Sequence, residues 1–417
     1  MLTSYRAGSS PSKPAPLPGA HPSPKSGRLA RVSEILHGIA PQALGYREDI
    51  LRLGQFMMPL HPAGRPLHAY LAEDTEKALL MEKLGFDELF IGEHFSAATE
   101  PYPSPLMFAA SLLPRTERLI FATGVINAPL RHPALIAAEA AQFDHMSKGR
   151  FILGIGTGST PTDIELMDVS TDTKVRAQML VEAIQMIERA WSSDPPYDFD
   201  GKFWKGKIKD TINPGLGFGW LPKPYQKPRP PIAVPVSSPD SASVQIAGRN
   251  GWSVISSALL SVEGLANHWA MYRKGCQEAG RVADGANWRV CRSILVAGTD
   301  EEARARAFGA DSGHRHFFGH MHKVYTQLGR LGILKTRPDM RDDEVTVDTF
   351  IEQRLIYGSP KTVLAKLIAL HRQVGPFGCL LLSTVDWAGP NAAWERESWS
   401  RLVDEVMPGL REHAAAA

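Results

Sequence analysis

The stretch EAAQFDHMSKGRFILGIGTG, residues 139–158, runs from a predicted helix through a strand into a glycine-rich loop. The helix ends at Lys148-Gly149, and the strand covers residues 150–155. Glycine has no Cβ, so such a loop lets a flat or phosphorylated ligand approach the backbone. The loop residues that we assign to a cofactor-binding surface are Gly156, Thr157 and Gly158. Glycines at a strand end also make simple tight turns, and the loop alone does not decide between the two roles.

The alternation of strand and helix continues on both sides of this stretch. Successive β-favouring runs in the first half are separated by roughly thirty residues, the length of one βα unit. The runs start near residues 53, 88, 118 and 150 and continue at 231–236, 252–256, 289–297 and 379–383. Parallel strands need crossover helices of this kind. Eight units predict an α/β fold, a closed (β/α)8 TIM barrel whose functional site lies at the C-terminal strand ends.

Three segments fall outside this alternation. Prolines crowd residues 11–24 among small polar residues, so we expect residues 1–50 to form a disordered tail and residues 51–411 to form the barrel. One insertion, residues 194–230, follows the fourth helix and is rich in Gly, Pro and aromatic residues. A second insertion covers residues 313–348. Long insertions on a compact domain usually have a function.

Composition indicates an ordinary enzyme rather than a partner of charged polymers. The chain has 46 basic and 44 acidic side chains and a formal net charge of +2, so we expect no nucleic-acid partner. Its three cysteines have no CxxC spacing, which suits a reducing cytoplasm. No apolar run approaches the roughly 18–20 residues of a membrane span. We expect a cytoplasmic protein without a membrane partner, and a homodimer.

Histidines follow two of the predicted strands. His61 comes after the first strand, and Glu93-His94 comes after the second. Two imidazoles facing one barrel mouth provide an acid, a base or a hydrogen-bond donor near neutral pH. The alternative is that each histidine caps a loop or fills the barrel rim. We assign His94, His61 and Glu93 as candidate catalytic residues.

A serine-rich run follows the fifth predicted strand. Ser237, Ser238 and Ser241 lie in SSPDSAS, directly before a predicted helix. Free amide groups at a helix start bind phosphate, which predicts a cofactor phosphate here. Serine and aspartate are also ordinary N-caps, so a purely structural role remains the alternative.

The histidine-rich stretch HRHFFGHMH, residues 314–322, is a competing candidate for a metal site. His316 and His320 share a helix face at the i, i+4 spacing that metal ligands use. No carboxylate or cysteine spacing accompanies them, so we expect no metal and interpret the stretch as a solvated or lid-forming helix.

Several motifs together resemble the bacterial luciferase-like flavin monooxygenases from about residue 53 to residue 410. They are IGEHF (91–95), the run from LIFATG to GIGTG (119–158), KPYQKPRPPIAV (223–234) and YGSPKTVLAKL (357–367). Finer details are most similar to the limonene 1,2-monooxygenase-like branch: HPAGRP (61–66), PSPLMFAASL (103–112) and FGCLLLSTVDWAG (377–389). The resemblance implies a barrel that binds reduced FMN from a separate reductase, which draws on NAD(P)H. It further implies that O2 is used to oxygenate an apolar, terpene-like substrate.

The resemblance also carries roles to individual positions. His94 corresponds to the family's active-site histidine. The isoalloxazine ring is implied to lie over Ala122, Thr123 and Gly124, where family members often kink the strand or have a non-proline cis peptide. Luciferases proper have a reactive cysteine where this chain has Gly156, which argues against light emission.

Two other functions remain open from the sequence. A deazaflavin-dependent oxidoreductase would share the barrel, the phosphate loop and the histidine, but would transfer hydride instead of activating O2. A non-catalytic flavin-binding relative would keep the phosphate site and lack the polar mouth. His61 and Glu93-His94 argue against this second alternative.

Overall fold

The computed structural model describes residues 51–100, 102–335, 337 and 339–416. The proline-rich segment predicted over residues 1–50 lies outside these described residues. Within them, no helix combines the length and the apolar character that crossing a membrane requires.

Twelve strands occur in the described chain, and eight of them are parallel and form a closed barrel. This barrel confirms the predicted (β/α)8 fold. The strands in chain order are β1 (Arg52–Met57), β2 (Glu88–Ile91), β3 (Ile120–Thr123), β4 (Ile126–Asn127), β5 (Phe151–Gly156), β6 (Tyr197–Asp200), β7 (Lys205–Ile208), β8 (Ile232–Val236), β9 (Ser253–Ser256), β10 (Trp288–Val296), β11 (Leu355–Gly358) and β12 (Cys379–Ser383). The barrel order is β1-β2-β3-β5-β8-β9-β10-β12, and β12 pairs with β1 to close the ring. Because the strands are parallel, their C-terminal ends share one rim.

Helices follow the strands and cover the outside of the barrel. In chain order they are α1 (Leu67–Leu84), α2 (Pro105–Leu112), α3 (Pro133–Met146), α4 (Pro161–Leu166), α5 (Thr173–Ser192), α6 (Ala242–Asn250), α7 (Val262–Glu278), α8 (Asp300–Phe308), α9 (Gly313–Gln327), α10 (Val347–Arg354), α11 (Pro360–Val374), α12 (Asn391–Arg401) and α13 (Met407–Ala415). A π-helical segment, Leu402–Val406, joins α12 to α13.

Local sequence signals explain several helix bounds. Helix α1 ends at Gly85, whose φ of 83° is left-handed and favours glycine. Helix α3 begins with Pro133, which has no N–H group. The loss is tolerated because an N–H group at the first helical position would have no intrahelical partner. The Asp172 side chain accepts a hydrogen bond from the amide of Lys174 and so caps α5.

Side chains of the barrel strands alternate between two apolar layers. One layer fills the barrel interior: Phe90, Ala122, Ile152, Ala233, Ile255, Cys291 and Leu381. The other layer packs against the helices: Leu89, Phe121, Leu153, Val234, Val254, Val290 and Leu380. Strands buried on both faces are typical of parallel sheets. Each large apolar side chain buried in this way contributes about 1.5–3 kcal/mol.

A buried ion pair closes the N-terminal end of the barrel interior. Glu88 accepts two hydrogen bonds, at 2.7 and 2.9 Å, from Arg289 on the opposite side. Arg52 lies 3.5 Å from the same carboxylate. Burial raises the pKa of Glu88, but Arg289 and Arg52 outweigh it and hold the pKa below its usual value. This end of the barrel is therefore filled, and the C-terminal rim carries the candidate site.

The third predicted strand, which starts near residue 118, is interrupted in the structure. β3 ends at Thr123, β4 starts at Ile126, and the Gly124–Val125 peptide between them is cis. β3 pairs with both β2 and β5, whereas β4 pairs only with β5. The structure thus has the non-proline cis peptide that the resemblance implied for this strand.

Both insertions contain more regular structure than the sequence indicated. The first, predicted to be irregular, contains the antiparallel hairpin of β6 and β7. After the second, α10 leads into β11, an unpredicted strand that pairs with the second half of β10. Periodicity missed β11 because it has four residues and follows a helix without a loop.

The second insertion packs over part of the C-terminal rim. Phe317 and Phe318 of α9 share an apolar cluster with residues that follow three barrel strands: Leu60, Leu259 and Val385. Phe317 and Phe318 thus pack beside the rim, whereas His316 of the same helix is exposed. This packing places an apolar cover beside the strand ends that carry the candidate site.

Candidate active site

The C-terminal ends of β2, β4 and β5 meet through side-chain contacts. The Thr160 hydroxyl, after β5, lies 2.9 Å from Nδ1 of His94, after β2. The Asn127 side-chain amide donates to the Glu93 carbonyl at 3.2 Å, and its backbone amide donates to the Glu93 carboxylate at 3.1 Å. A Cβ on Gly158 would lie 3.6 Å from Asn127. The structure therefore brings together three strand ends that are distant in sequence.

His94 is flanked by two carboxylates. Its Nε2 lies 3.3 Å from Glu100, and its Nδ1 lies 3.6 Å from Asp163. Asp163 also accepts hydrogen bonds from the backbone amides of Phe95 and Ser96, at 3.2 and 2.8 Å, which fixes the loop after His94. The His94 side chain is 15% exposed, so it remains accessible while being held in place. Such an imidazole is suited to give or take a proton.

Glu93 is buried directly beside His94. Its carboxylate lies 3.0 Å from Arg131 and accepts the backbone amide of Asn127. Burial raises the pKa of Glu93 to about 7, although Arg131 acts in the opposite direction. Perturbed carboxylates of this kind concentrate at functional sites.

Glycines form the floor of this region. A Cβ on Gly154 would lie 1.7 Å from the Thr123 carbonyl, and the Thr123 hydroxyl donates to the Gly154 carbonyl at 2.6 Å. A Cβ on Gly124 would lie 3.0 Å from Phe90 Cβ. Thr123 and Ala122 are both buried, and Ala122 belongs to the barrel interior. These glycines therefore let neighbouring strands approach closely at this rim, where any side chain would meet the adjacent strand.

The glycine floor continues onto β8. A Cβ on Gly156 would lie 2.7 Å from Val125 and 3.3 Å from Pro235. Thr157, the next residue of the loop, is half-buried. The glycine-rich loop therefore lies between the cis-peptide segment and the strand that leads to the serine-rich run.

The serine-rich run starts helix α6 at the same rim. Ser237 and Ser238 are exposed, and Ser241 is the N-cap of α6, accepting a hydrogen bond from the amide of Ser243. The N-cap alternative is thus present, and it does not exclude anion binding, because the first turn of a helix has further amides without an intrahelical acceptor.

Helix α7 fixes the backbone of this run. His268, fully buried, lies 2.9 Å from the Ser238 carbonyl through Nε2 and 2.9 Å from the Ser256 hydroxyl through Nδ1. Burial lowers the pKa of His268. A neutral ring with the proton on Nε2 satisfies both contacts. Asn267 adds a hydrogen bond to the Pro239 carbonyl at 2.9 Å.

Arg176 is a buried cation near the start of α5 that sequence reasoning missed. It lies in the first turn of α5, is buried, and donates from Nη1 to the Ser170 carbonyl at 2.7 Å. Its Nε is buried without a hydrogen-bond partner among the described residues. A signal existed, because Arg176 shares the buried helical face with Leu180, Ala183 and Ile187 at i+4, i+7 and i+11. Asp172, the N-cap of α5, is the acidic group that acts on Arg176, and the two form no ion pair in the described structure.

Comparison of the chain with models of known protein families identifies its family. Residues 51–375 match the model described as luciferase-like monooxygenase. The chain belongs to the luciferase-like monooxygenase family. It is therefore an enzyme of the monooxygenase class, and the site described above lies inside the matched region.

Named members of the family match most of the chain. The 4-hydroxyprotoasukamycin monooxygenase of Streptomyces nodosus subsp. asukaensis is 28% identical over 377 residues, which cover 88% of this chain and 95% of that protein. The limonene 1,2-monooxygenase of Rhodococcus erythropolis is 26% identical over 359 residues, which cover 85% of each chain.

A solved structure has the same fold. The oxygenating constituent of 3,6-diketocamphane monooxygenase from Pseudomonas putida, a type II Baeyer-Villiger monooxygenase in complex with FMN, superposes with a TM-score of 0.78. It is 24% identical, and the match covers 86% of this chain and 98% of that chain.

His61 does not have the open position in this luciferase-like monooxygenase that the sequence analysis expected. Its ring is fully buried and stacks on Tyr70, with ring centroids 4.1 Å apart. Nδ1 lies 2.6 Å from Asp386, and Nε2 lies 3.2 Å from Asp74. Burial lowers the pKa of His61, but the hydrogen bonds to Asp386 and Asp74 outweigh it and raise the pKa above its usual value. Neither ring nitrogen is left for a substrate.

The groups with metal-ligand chemistry are surrounded by cations. His61, Glu73 and Asp386 lie close enough together to hold an ion. Arg65, however, bonds both Glu73 and Asp386, and Lys77 bonds Glu73 at 2.7 Å. These two side chains already supply the positive charge that a metal would bring.

The histidine pair of α9 also lies among cations. His316 and His320 line a shallow surface pocket together with Arg315 and Lys323. The pocket has no carboxylate in the described lining. The positive charges of Arg315 and Lys323 would repel a cation bound to the two histidines.

The Glu93→Gln variant should lose a pH dependence of stability that the wild type has. The pKa of Glu93 is about 7 in the folded state and about 4.5 when unfolded, so between these values the folded state holds a proton that the unfolded state releases. The stabilising contribution is fully present below pH 4.5 and is lost as the pH rises through 7. We expect the wild type to lose about 2–3 kcal/mol of unfolding free energy from this group between pH 5 and pH 8.

Denaturant unfolding at several pH values measures the difference between the two proteins. Glu139→Gln removes the other carboxylate beside Arg131, at 3.3 Å, and is the matched control. Parallel pH profiles of the wild type and Glu93→Gln would contradict the assignment.

Proposed function

We propose that the chain is the oxygenase component of a two-component flavin monooxygenase. It receives reduced FMN from a separate NAD(P)H-dependent flavin reductase and uses O2 to oxygenate a small organic substrate with an apolar, terpene-like body. The observation that carries the proposal is the convergence, at one barrel rim, of a glycine floor, a carboxylate-flanked histidine and two anion-binding elements. Fold alone would not support it, because one barrel serves many chemistries.

The residues present fit FMN at both of its ends. We assign the flat ring system to the strand ends at Gly124 and Gly154, where close packing of neighbouring strands keeps the rim free of side chains from these two positions. The start of α6 at Ser241 and the buried Arg176 suit a phosphate. α5 follows β5, and α6 follows β8, which pairs with β5. The two phosphate-binding elements therefore follow neighbouring strands.

Bound reduced FMN supplies the electrons that activate O2. The chain supplies positions and protons. His94, with Thr160 on Nδ1 and Glu100 beside Nε2, can hold a proton at either nitrogen and deliver it to a reacting oxygen atom. The apolar cluster that contains Phe317 and Leu60 keeps water from one side of the rim.

Glu93 is a positioning residue in this account. It holds Asn127 and Arg131 in place behind His94 and does not itself reach the rim. His61 has the equivalent role on the β1 side, where it joins Asp74 to Asp386.

An anaerobic titration separates this proposal from its main alternative. Reduced FMN should bind, and admission of O2 to the loaded enzyme should give an oxygenated product when the organic substrate is present and hydrogen peroxide when it is absent. A deazaflavin-dependent oxidoreductase would instead bind reduced F420 more tightly than FMN and consume no O2. A flavin-binding protein without activity would bind FMN and give only hydrogen peroxide, with or without the substrate.

Replacement of both Ser238 and Ser241 by alanine should weaken reduced FMN binding by roughly tenfold or more. Hydrogen bonds to a charged phosphate are worth about 1.5–3 kcal/mol each, and part of this is lost with the two hydroxyls. Isothermal titration under anaerobic conditions measures the change. Ser312→Ala, which removes the N-cap of α9, controls for helix destabilisation alone. An unchanged affinity in the double variant would place the phosphate elsewhere.

A further inference from the structure

We propose that Arg292 and Arg354 form an oxyanion subsite that takes a carboxylate of the organic substrate. The inference deepens the proposed function, on which it rests, by giving the apolar substrate one anionic group. The subsite lies at the C-terminal end of β9, outside the residues assigned to the flavin.

The two arginines lie at the point where the strand paired with β10 changes from β9 to β11. β9 ends at Ser256, and from Ser293 onward β10 pairs with β11 instead. Arg292 lies on β10 just before this change, and Arg354 directly precedes β11. Both donate to the loop after β9: Arg292 to the Ala258 carbonyl at 3.4 Å and Arg354 to the Leu259 carbonyl at 3.0 Å. The loop therefore holds two guanidinium groups side by side.

This pair of charges has no paired carboxylate within the described part of the chain. Arg292 is 4% exposed and Arg354 is 7% exposed, and neither forms an ion pair there. Burial and the neighbouring Arg354 lower the pKa of Arg292 to about 10, and burial also lowers the pKa of Arg354. Glu263, the acidic group that acts on Arg354, is exposed. Two buried like charges are unfavourable unless an anion joins them.

Their hydrogen-bonding capacity is also largely unused. Arg292 donates two hydrogen bonds and Arg354 donates one, all to backbone carbonyls. Nη2 of Arg354 is buried without a partner in the described structure. The Ser293 hydroxyl, next to Arg292 in sequence, is likewise buried without a partner there. Arg150 shows the contrast, because this one side chain donates three hydrogen bonds and lies over the Phe121 ring. Buried polar groups left open in this way usually have a ligand or an ordered water.

The chemistry favours a carboxylate on an apolar body. A planar carboxylate accepts two parallel hydrogen bonds from a guanidinium fork, which a neutral group cannot match in strength. The side chains beside the arginines are apolar: Ala258 belongs to the barrel-interior cluster, and Leu259 and Leu295 belong to the cluster of the second insertion. The subsite would therefore bind the charged end of a substrate whose remaining atoms are hydrophobic.

A pair of probes of equal shape tests the inference. Cyclohexanecarboxylate and its neutral amide, cyclohexanecarboxamide, are titrated calorimetrically into the FMN-loaded protein. The wild type should bind the carboxylate at least tenfold more tightly than the amide, and Arg354→Met and Arg292→Met should each remove most of this preference. Arg315→Met is the control, because Arg315 already pairs with Asp348 at 2.6 Å.

Folding and the flavin assignment are controlled separately. Arg354→Lys keeps the charge and should retain an intermediate preference, so the series stays informative if the methionine variants fail to fold. Equal binding of both probes by the wild type, or an unchanged preference in a folded arginine variant, would overturn the subsite. Competition of the carboxylate with FMN for the unloaded protein would also overturn it, by assigning the arginines to the cofactor. Failure of FMN itself to bind would contradict the proposed function instead.

Discussion

The His94→Asn variant should lose about 10²-fold in the rate of substrate oxygenation while its affinity for reduced FMN changes less than a few-fold. One positioned hydrogen-bond donor or acid contributes this much to a reacting centre. His94 touches Thr160 and Glu100 rather than the glycine floor or the start of α6, so its loss leaves the groups assigned to the cofactor intact. Electrons from the flavin should then leave as hydrogen peroxide instead of as product.

Product yield and hydrogen peroxide are measured in the same reaction, with the reduced-flavin Kd determined separately. His145→Asn is the control, because His145 bonds the Lys223 carbonyl and belongs to none of the site contacts. Parallel losses of flavin affinity and turnover would assign His94 to the binding site. Wild-type activity would leave it a structural role only.

The Arg176→Met variant should raise the Kd of reduced FMN by about 10- to 100-fold, since it removes a buried cation from the proposed phosphate site. Riboflavin, which has no phosphate, provides the matched ligand. The wild type should prefer FMN to riboflavin, and Arg176→Met should reduce this preference without a comparable loss of riboflavin binding.

The control for the arginine is on the same helix. Arg189→Met alters an exposed arginine of α5 and should leave both affinities unchanged. Equal weakening of FMN and riboflavin by Arg176→Met would indicate a damaged fold rather than a lost phosphate contact.

The barrel was predictable because its signals are local. Each barrel strand is a short apolar run, and each helix has start or stop residues such as Pro133 and Gly85. β11 was not predicted because the strand with which it pairs in the described structure, the second half of β10, lies about sixty residues earlier in the chain. Pairing of that kind is decided by tertiary structure and leaves no pattern in four residues.

The site was only partly predictable, for a related reason. The sequence placed His61 and His94 at strand ends, but side-chain partners decide which of them is open. His61 bonds Asp386, which is 325 residues away in sequence, and this contact buries it. Arg176 was missed because a helical arginine is usually solvated, and only the full set of contacts shows that its Nε has no partner in the described structure. The glycine loop could be placed at the end of β5 from the sequence because the conformational freedom of glycine depends on residue type alone.

Oxygen-isotope incorporation shows whether the protein transfers an oxygen atom from O2 to an organic substrate. The purified protein, a generic flavin reductase, NADH and FMN are incubated under ¹⁸O2 with a panel of terpenes, cyclic ketones and their carboxylated analogues. If the chain is a two-component flavin monooxygenase, we expect at least one product that contains one ¹⁸O atom. This product should form only when protein, reductase and FMN are all present. Consumption of O2 that yields hydrogen peroxide alone across the panel, together with turnover of reduced F420 by hydride transfer, would contradict this function.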